Sequence, residues 1–381
     1  MATQIFSFPT RIHFGAGVRR DLPDFLKAHG VKRPLVVTDI GVAGQPFCRE
    51  LVQSLNASGL KAELYAGVRG NPVRPQVTLG IEAYRKHEAD GVVGLGGGAA
   101  VDVAKAIVLM ANHPGDLFDY EDGKAGALPI DKVIPFWVAV PTTAGTGSEV
   151  GRSTVISDET THVKKIMFSP RLMAQAVFAD PELTLGLPAS ITAATGMDAL
   201  THNVEAYLAK DFHPICDGIA LEGIRLGAES LSACVHQPTN LKARSSMLLS
   251  SMMGAIAFQK GLGLVHSCAH ALSTVADLHH GLANGIMIPY ALSYNLSAVP
   301  DRFKAIGHAA GLSNPTGEGV IRWLQDLKRD IRIPERLSEL HIGRDKLGAL
   351  ADVAIADACH PNNPRPCTRA TFEKIFSEAM G

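Results

Sequence analysis

The chain has 381 residues, more than one small hydrophobic core accommodates, so two domains are expected. With 46% hydrophobic residues, 19% charged residues and a net charge of −1, it lacks both the basic balance of a nucleic-acid binder and the acidic excess of a disordered chain. Six cysteines at 48, 216, 234, 268, 359 and 367, with no CxxC pair, point to reduced thiols and a cytoplasmic protein.

The first segment, "MATQIFSFPTRIHFGAG", lacks the basic start and long apolar run of a signal peptide. "PLVVTD" (34–39) predicts a buried strand, 45–58 a helix, "KAELYA" a strand and 75–89 a second helix. "GVVGLG" (91–96) predicts a strand that runs into a glycine loop, and 99–111 the helix that follows it. The most apolar stretch, 92–110, contains Asp102 and Lys105, so no membrane span and no membrane partner is expected. "FWVAVPTTAGTGSE" predicts a strand ending at Pro141 in a loop of small residues. This alternation implies a parallel sheet with helices on its faces. "FADPELTLGLPAS" (178–190), with two prolines, reads as a linker. From 186 onward β-branched alternation disappears and long helical segments predict an all-α second domain. The expected division is therefore an α/β dinucleotide-binding domain over 1–185 and a helical metal-binding domain over 186–381.

"GLGGGAAVDVAKA" (94–106) places three adjacent glycines at a helix start, where free N–H groups and the helix dipole suit a phosphate. Gly94, Gly96 and Ala99 also match the loose G-x-G-x-x-A dinucleotide pattern, although a convincing acidic ribose binder about twenty residues later is missing. Asp39, at the end of its strand, is the better candidate for the ribose, and its charge favours NAD over NADP. The competing reading is a residue that caps the next segment. Thr142, Thr143, Thr146 and Ser148 supply hydroxyls for phosphate or nicotinamide-ribose groups.

Asp198 and His202, in "TGMDALTHNVEAY", are four apart on one helix face, and His266 and His270 repeat that spacing. His279 and His280 follow. A carboxylate with several imidazoles from two helices suits a divalent transition metal. Spacing leaves open which three of His202, His266, His270, His279 and His280 join Asp198. Cys268 lies between two of them, with a packed thiol as its expected fate. Four protein ligands plus a substrate oxygen suit Fe(2+) better than Zn(2+), which commonly keeps three protein ligands at a catalytic site; zinc is the alternative.

Through "GLGGGAAVDVAKA", "VPTTAGTGSE", "DPELTLGLP", "TGMDALTHNVEAY" and "AFQKGLGLVHSCAHAL…HHGLANGIMIPY", the chain resembles the iron-dependent (group III) alcohol dehydrogenases. Their superfamily also holds glycerol dehydrogenase and dehydroquinate synthase. The resemblance runs through most of the chain. It implies an N-terminal α/β dinucleotide domain, a C-terminal helical metal domain and catalysis in the cleft between them. It implies the metal ligands Asp198, His202, His266 and His280, with His270 as the histidine near the reacting oxygen and His279 as a neighbour. It places Asp39, Gly97, Gly98, Thr142 and Thr143 on the cofactor, with Asp102, Thr146, Ser148 and Lys164 lining the cleft. Two departures stand out. Ala99 replaces the more usual serine of the glycine loop, and "AHALS" replaces "AHPLG".

The expected chemistry is hydride transfer between a small primary alcohol (or diol) carbon and nicotinamide, with the metal as Lewis acid and His270 as proton relay. The expected partners are a small alcohol or aldehyde and further copies of the chain, in a homodimer or larger homo-oligomer. Phe258 reads equally as a pocket wall or as core. If Arg152 or Lys260 faces the pocket, an ω-hydroxy acid such as 4-hydroxybutyrate becomes the substrate, and "FQKGLG" and "ACHPNNPRPCT" do resemble 4-hydroxybutyrate dehydrogenases. A dehydroquinate synthase-like lyase is a more distant alternative and would need a more basic pocket.

Overall fold

The computed structural model describes residue 8 and residues 10–381. The chain divides into two compact units, one of residues 10–143 and Ser148–Thr184, the other of Ala144–Gly147 and Leu185–Gly381.

The first unit is an α/β layer structure. Its strands are β1 (Arg11–Phe14), β2 (Pro34–Asp39), β3 (Glu63–Val68), β4 (Gly91–Gly96), β5 (Phe136–Pro141), β6 (Ser153–Ser157), β7 (Lys164–Phe168) and β8 (Ala176–Ala179). Six of them form one parallel sheet in the order β1-β8-β5-β4-β2-β3, while β6 and β7 pair as a separate antiparallel hairpin. The helices of this unit are α1 (Leu22–Ala28), α2 (Ile40–Ala43), α3 (Pro46–Ala57), α4 (Arg74–Lys86) and α5 (Gly98–Asn112). Val36, Val93, Val138 and Phe178 project from one sheet face onto Leu22, Leu26, Leu51 and Leu55 of α1 and α3. On the other face α5 packs on β2 and β4, with α4 beside it. Both faces are thus covered, which is why β2 and β4 are nearly continuous apolar runs rather than alternating ones.

Chain order reverses between β2 and β4, because β3 lies on one side of β2 and β4 on the other. That is the topological switch point of an open parallel sheet, where the strand ends leave a crevice for a ligand. Asp39 ends β2, and Gly97 and Gly98 follow β4, so both predicted cofactor segments lie there.

The predicted linker is only partly a connection. Phe178 and Ala179 complete β8, which sits inside the sheet between β1 and β5. Four residues give too short an alternation to register beside two prolines. Asp180, fully buried, closes the strand by accepting from the backbone N–H of Gly17 and Glu182 and by pairing with Arg19.

The second unit is helical: α6 (Ala189–Leu208), α7 (Pro214–His236), α8 (Leu241–Ala257), α9 (Leu264–Ala276), α10 (His280–Asn295), α11 (Pro300–Ala309), α12 (Gly317–Asp330), α13 (Leu347–Ala356) and α14 (Arg369–Met380). α6 is buried on nearly all sides because α7, α8 and α10 pack around it. The polar side chains it carries are therefore held away from water. Among the described residues no single helix is long and apolar enough to cross a membrane.

Candidate metal centre and cofactor loops

Asp198 and His202 lie one turn apart on α6, His266 is in the first turn of α9, and His280 opens α10. Gly281 lets the start of α10 meet α6, since a Cβ there would stand 2.4 Å from the Ala194 carbonyl oxygen and 3.3 Å from Asp198 Cβ. One donor atom from each of Asp198, His202, His266 and His280 lies within 4.8 Å of all the others. Asp198 Oδ1 is 3.4 Å from His280 Nε2 and 3.9 Å from Nε2 of both His202 and His266. Donors about 2.1 Å from a shared ion stand roughly 3.4 Å apart in a tetrahedron, so these side chains fit a divalent metal with small adjustments. Burial pushes His202 down to about 4, which keeps its imidazole in the neutral form that a metal requires. Asp198, His202 and His266 are buried, while the His280 side chain is 21% exposed. The open side of the set is therefore at His280.

His270 stacks on His280 with ring centroids 5.2 Å apart. Its Nδ1 donates to Asp357 Oδ2 at 2.7 Å, so the ring is anchored beside the donor set rather than within it. Burial pushes the Asp357 carboxyl up. The charge and hydrogen bond of His270, together with donation from Ser267 Oγ and the Cys359 N–H, outweigh burial and hold it well below the usual carboxylate range. His279 accepts the Leu282 N–H and caps α10, and Cys268 is packed in the core of the unit. Phe258 stands against His202, ring centroids 5.2 Å apart. Lys260 is spent internally, paired with Asp217 and donating to the Tyr207 carbonyl at 2.9 Å. In the α/β unit the Arg152 guanidinium lies over the Phe168 ring at 5.3 Å.

Asp39 Oδ1 accepts the Val42 N–H at 2.9 Å and caps α2, so the capping reading is realised at the crevice itself. Gly97 is the N-cap of α5 and Gly98 its first residue. Thr142 donates its N–H to the Gly96 carbonyl, and Thr143 packs against Gly97, which fixes the hydroxyl loop beside the glycine loop. Thr146 falls in Ala144–Gly147 and so groups with the helical unit. Ser148 Oγ donates to Asp102 Oδ1 at 2.5 Å and accepts from Lys105 Nζ at 2.8 Å. Lys164 opens β7, and its charge acts on Asp102.

Residues 9–181 match the family model described as iron-containing alcohol dehydrogenase, and residues 192–380 match that of the Fe-containing alcohol dehydrogenase family, C-terminal. The chain belongs to the iron-containing alcohol dehydrogenase family. It is 35% identical to the 4-hydroxybutyrate dehydrogenase of Cupriavidus necator, over 97% of this chain and 98% of the relative. A crystal structure of 1,3-propanediol oxidoreductase superposes with a TM-score of 0.93 at 35% identity, covering 99% of this chain and 100% of that one. Sulfoacetaldehyde reductase from Bifidobacterium kashiwanohense, solved in complex with NAD+, superposes with a TM-score of 0.91 at 27% identity, covering 100% of this chain and 99% of that one.

In this iron-containing alcohol dehydrogenase, sequence reasoning misses three polar residues around the donor set. Asn284 Nδ2 donates to Asp198 Oδ1 at 2.7 Å. Glu205, 2% exposed, accepts from His266 Nδ1 at 2.6 Å. Asp357 holds His270. Glu205 carries a readable signal, since 198, 202 and 205 share one helical stripe and a third ionisable group on a buried stripe needs partners. Asp357 carries none, because 87 positions separate it from His270.

Proposed function

We propose that the protein is a metal- and NAD-dependent alcohol dehydrogenase that interconverts a small primary alcohol or diol and its aldehyde, using Asp198, His202, His266 and His280 as metal ligands. The convergence of those four side chains in one buried set with an open side at His280 carries the reading. A bound Fe(2+), or Zn(2+) in its place, supplies Lewis acidity toward the alcohol oxygen, and NAD supplies the hydride acceptor. The chain's own residues do the rest. His270 borders the open side, and because Asp357 engages its Nδ1, proton exchange with the alcohol falls to Nε2. Gly97 and Gly98 present the α5 N-terminus to the pyrophosphate. Asp39 binds the adenosine ribose with the oxygen that does not cap α2, and its charge disfavours a 2′-phosphate. Thr142, Thr143 and Thr146 line the dinucleotide. Asp102, Ser148 and Lys164 complete the cofactor site beside them, with Ser148 hydrogen-bonded to Asp102 and the Lys164 charge acting on Asp102. Ala99 offers no hydroxyl to the pyrophosphate, which leaves that contact to backbone N–H groups. The six cysteines, all thiols outside disulfides among the described residues, support a cytoplasmic setting.

Among substrates, the uncharged alcohols come first. One relative is a 4-hydroxybutyrate dehydrogenase, but Lys260 is paired with Asp217 and does not offer its charge to a substrate carboxylate. The test is NADH formation by metal-stripped protein reloaded anaerobically with Fe(2+) or Zn(2+). The panel is ethanol, 1-propanol, 1,2- and 1,3-propanediol, glycerol and 4-hydroxybutyrate. Turnover of short alcohols or diols above 4-hydroxybutyrate is expected. Preference for the hydroxy acid would reverse the substrate assignment, and silence with every alcohol and both metals would refute the dehydrogenase.

A further inference from the structure

We infer that Glu205 is a positioning residue that fixes the tautomer of His266 and thereby sets the affinity of the cluster for its metal. The inference rests on the metal-dependent reading above and adds a residue outside the four ligands. Glu205 sits on α6 three residues beyond His202, and both of its oxygens are directed at the start of α9. Oε1 accepts from the Val265 N–H at 2.7 Å, and Oε2 accepts from the His266 N–H at 3.1 Å and from His266 Nδ1 at 2.6 Å. These backbone groups are in the first turn of α9, whose N-cap, Gly263, has no side chain to cap with. Glycine is also what admits the carboxylate. A Cβ at Gly263 would stand 2.8 Å from Glu205 Oε1 and 3.0 Å from Asn363 Oδ1.

Two consequences follow from this geometry. First, an ionised carboxylate accepts only, so the His266 proton resides on Nδ1 and the Nε2 lone pair is left on the side of the donor set, 3.3 Å from Asn284 Nδ2, which can donate to it, and 3.9 Å from Asp198 Oδ1. The opposite tautomer would direct an N–H into the donor set and leave no lone pair for a cation. Second, Asp198 alone neutralises half the charge of a divalent ion. Glu205, one imidazole further out, supplies a second negative charge in a region that excludes water, where an unbalanced charge is costly. Glu205 does not belong to the donor set itself, since its oxygens meet the far side of the His266 ring.

The test compares the parent protein with Glu205→Gln and Glu205→Asp, each stripped of metal and checked for fold by circular dichroism. Fe(2+) and Zn(2+) affinities are measured anaerobically by chelator competition, and imidazole nitrogen shifts of 15N-histidine-labelled apoprotein report the tautomer. In Glu205→Gln one accepting oxygen becomes an NH2 that meets N–H donors. The expected result is metal binding weaker by roughly 10–100-fold in folded protein, with a redistributed His266 tautomer. Glu205→Asp keeps the charge and withdraws it by one methylene, so an intermediate affinity is expected. Affinity in Glu205→Gln equal to the parent's would overturn the inference. Should that variant fail to fold, Glu205→Asp decides: reduced affinity supports the role and parental affinity refutes it. A parent protein that takes up no metal would instead bring down the functional reading on which the inference rests.

Discussion

At the scale of single residues, His270 and His266 differ in what their loss should do, although they are one helical turn apart on α9. His270 is anchored by Asp357 outside the donor set. His270→Ala should keep its metal and lower kcat by roughly 10²–10⁴-fold, the usual contribution of a positioned acid–base group. Metal content and turnover measured on the same sample check this, and loss of metal would make His270 a ligand. Glu149 gives a prediction in stability. Burial raises its carboxyl from 4.5 to about 7, so the folded chain holds a proton that the unfolded chain has released across that interval. Stability therefore falls as pH rises through the window and stays reduced above it. Glu149→Gln removes the titration, and relative to the parent it should gain on the order of 1–3 kcal/mol between about pH 5 and about pH 8. Urea denaturation at both pH values reads the difference, and a constant offset would contradict it. The i,i+4 spacings make Asp198, His202, His266 and His270 legible in the sequence. What spacing cannot rank is ligand against neighbour. That choice depends on which nitrogen faces Asp198, and so on Glu205, Asp357 and the cap role of His279.

At the scale of elements, β2, β4 and α5 are legible almost to the residue, because a strand buried on both faces is an unbroken apolar run and the glycine loop marks where α5 begins. β8 and the β6–β7 hairpin are not. β8 has four residues, and the hairpin mixes exposed Ile166 and Phe168 with Lys164 and Lys165, so neither shows a clean alternation. The hydroxyl loop is held in place by tertiary contacts of its own. Ser251 Oγ donates to the Gly145 carbonyl at 3.1 Å, and Gly147 has φ +60° with room for no side chain, since a Cβ would meet Ala255 Cβ at 2.3 Å. Gly147→Ala should cost about 1–3 kcal/mol and raise KM for NAD more than it lowers metal content. Denaturation, NAD kinetics and metal analysis check the three parts, and a variant with parental stability would show that the loop is not fixed as described.

At the scale of the molecule, each unit has its own apolar core, and the candidate metal ligands all belong to the helical one. Metal removal should therefore raise amide hydrogen exchange in α6, α9 and the start of α10, and leave β2, β4 and α5 near their holo rates. NAD should protect the ends of β2 and β4 instead. Uniform loosening on chelation would contradict that division. The two-unit organisation is visible in the sequence as a change from strand–helix alternation to continuous helix. The grouping of Ala144–Gly147 with the helical unit is not, because it depends on packing against α6 and α8 rather than on local pattern.

The most direct measurement is an anaerobic titration of Fe(2+) into metal-free protein, with bound metal and NADH formation from 1,3-propanediol followed together, in the parent and in Asp198→Ala. Activity is expected to rise in proportion to metal and to level off at about one ion per chain, while Asp198→Ala retains little metal and stays inactive. Full turnover in the metal-free parent, or an Asp198→Ala protein that binds metal and works as the parent does, would contradict the assignment of these side chains to a catalytic metal.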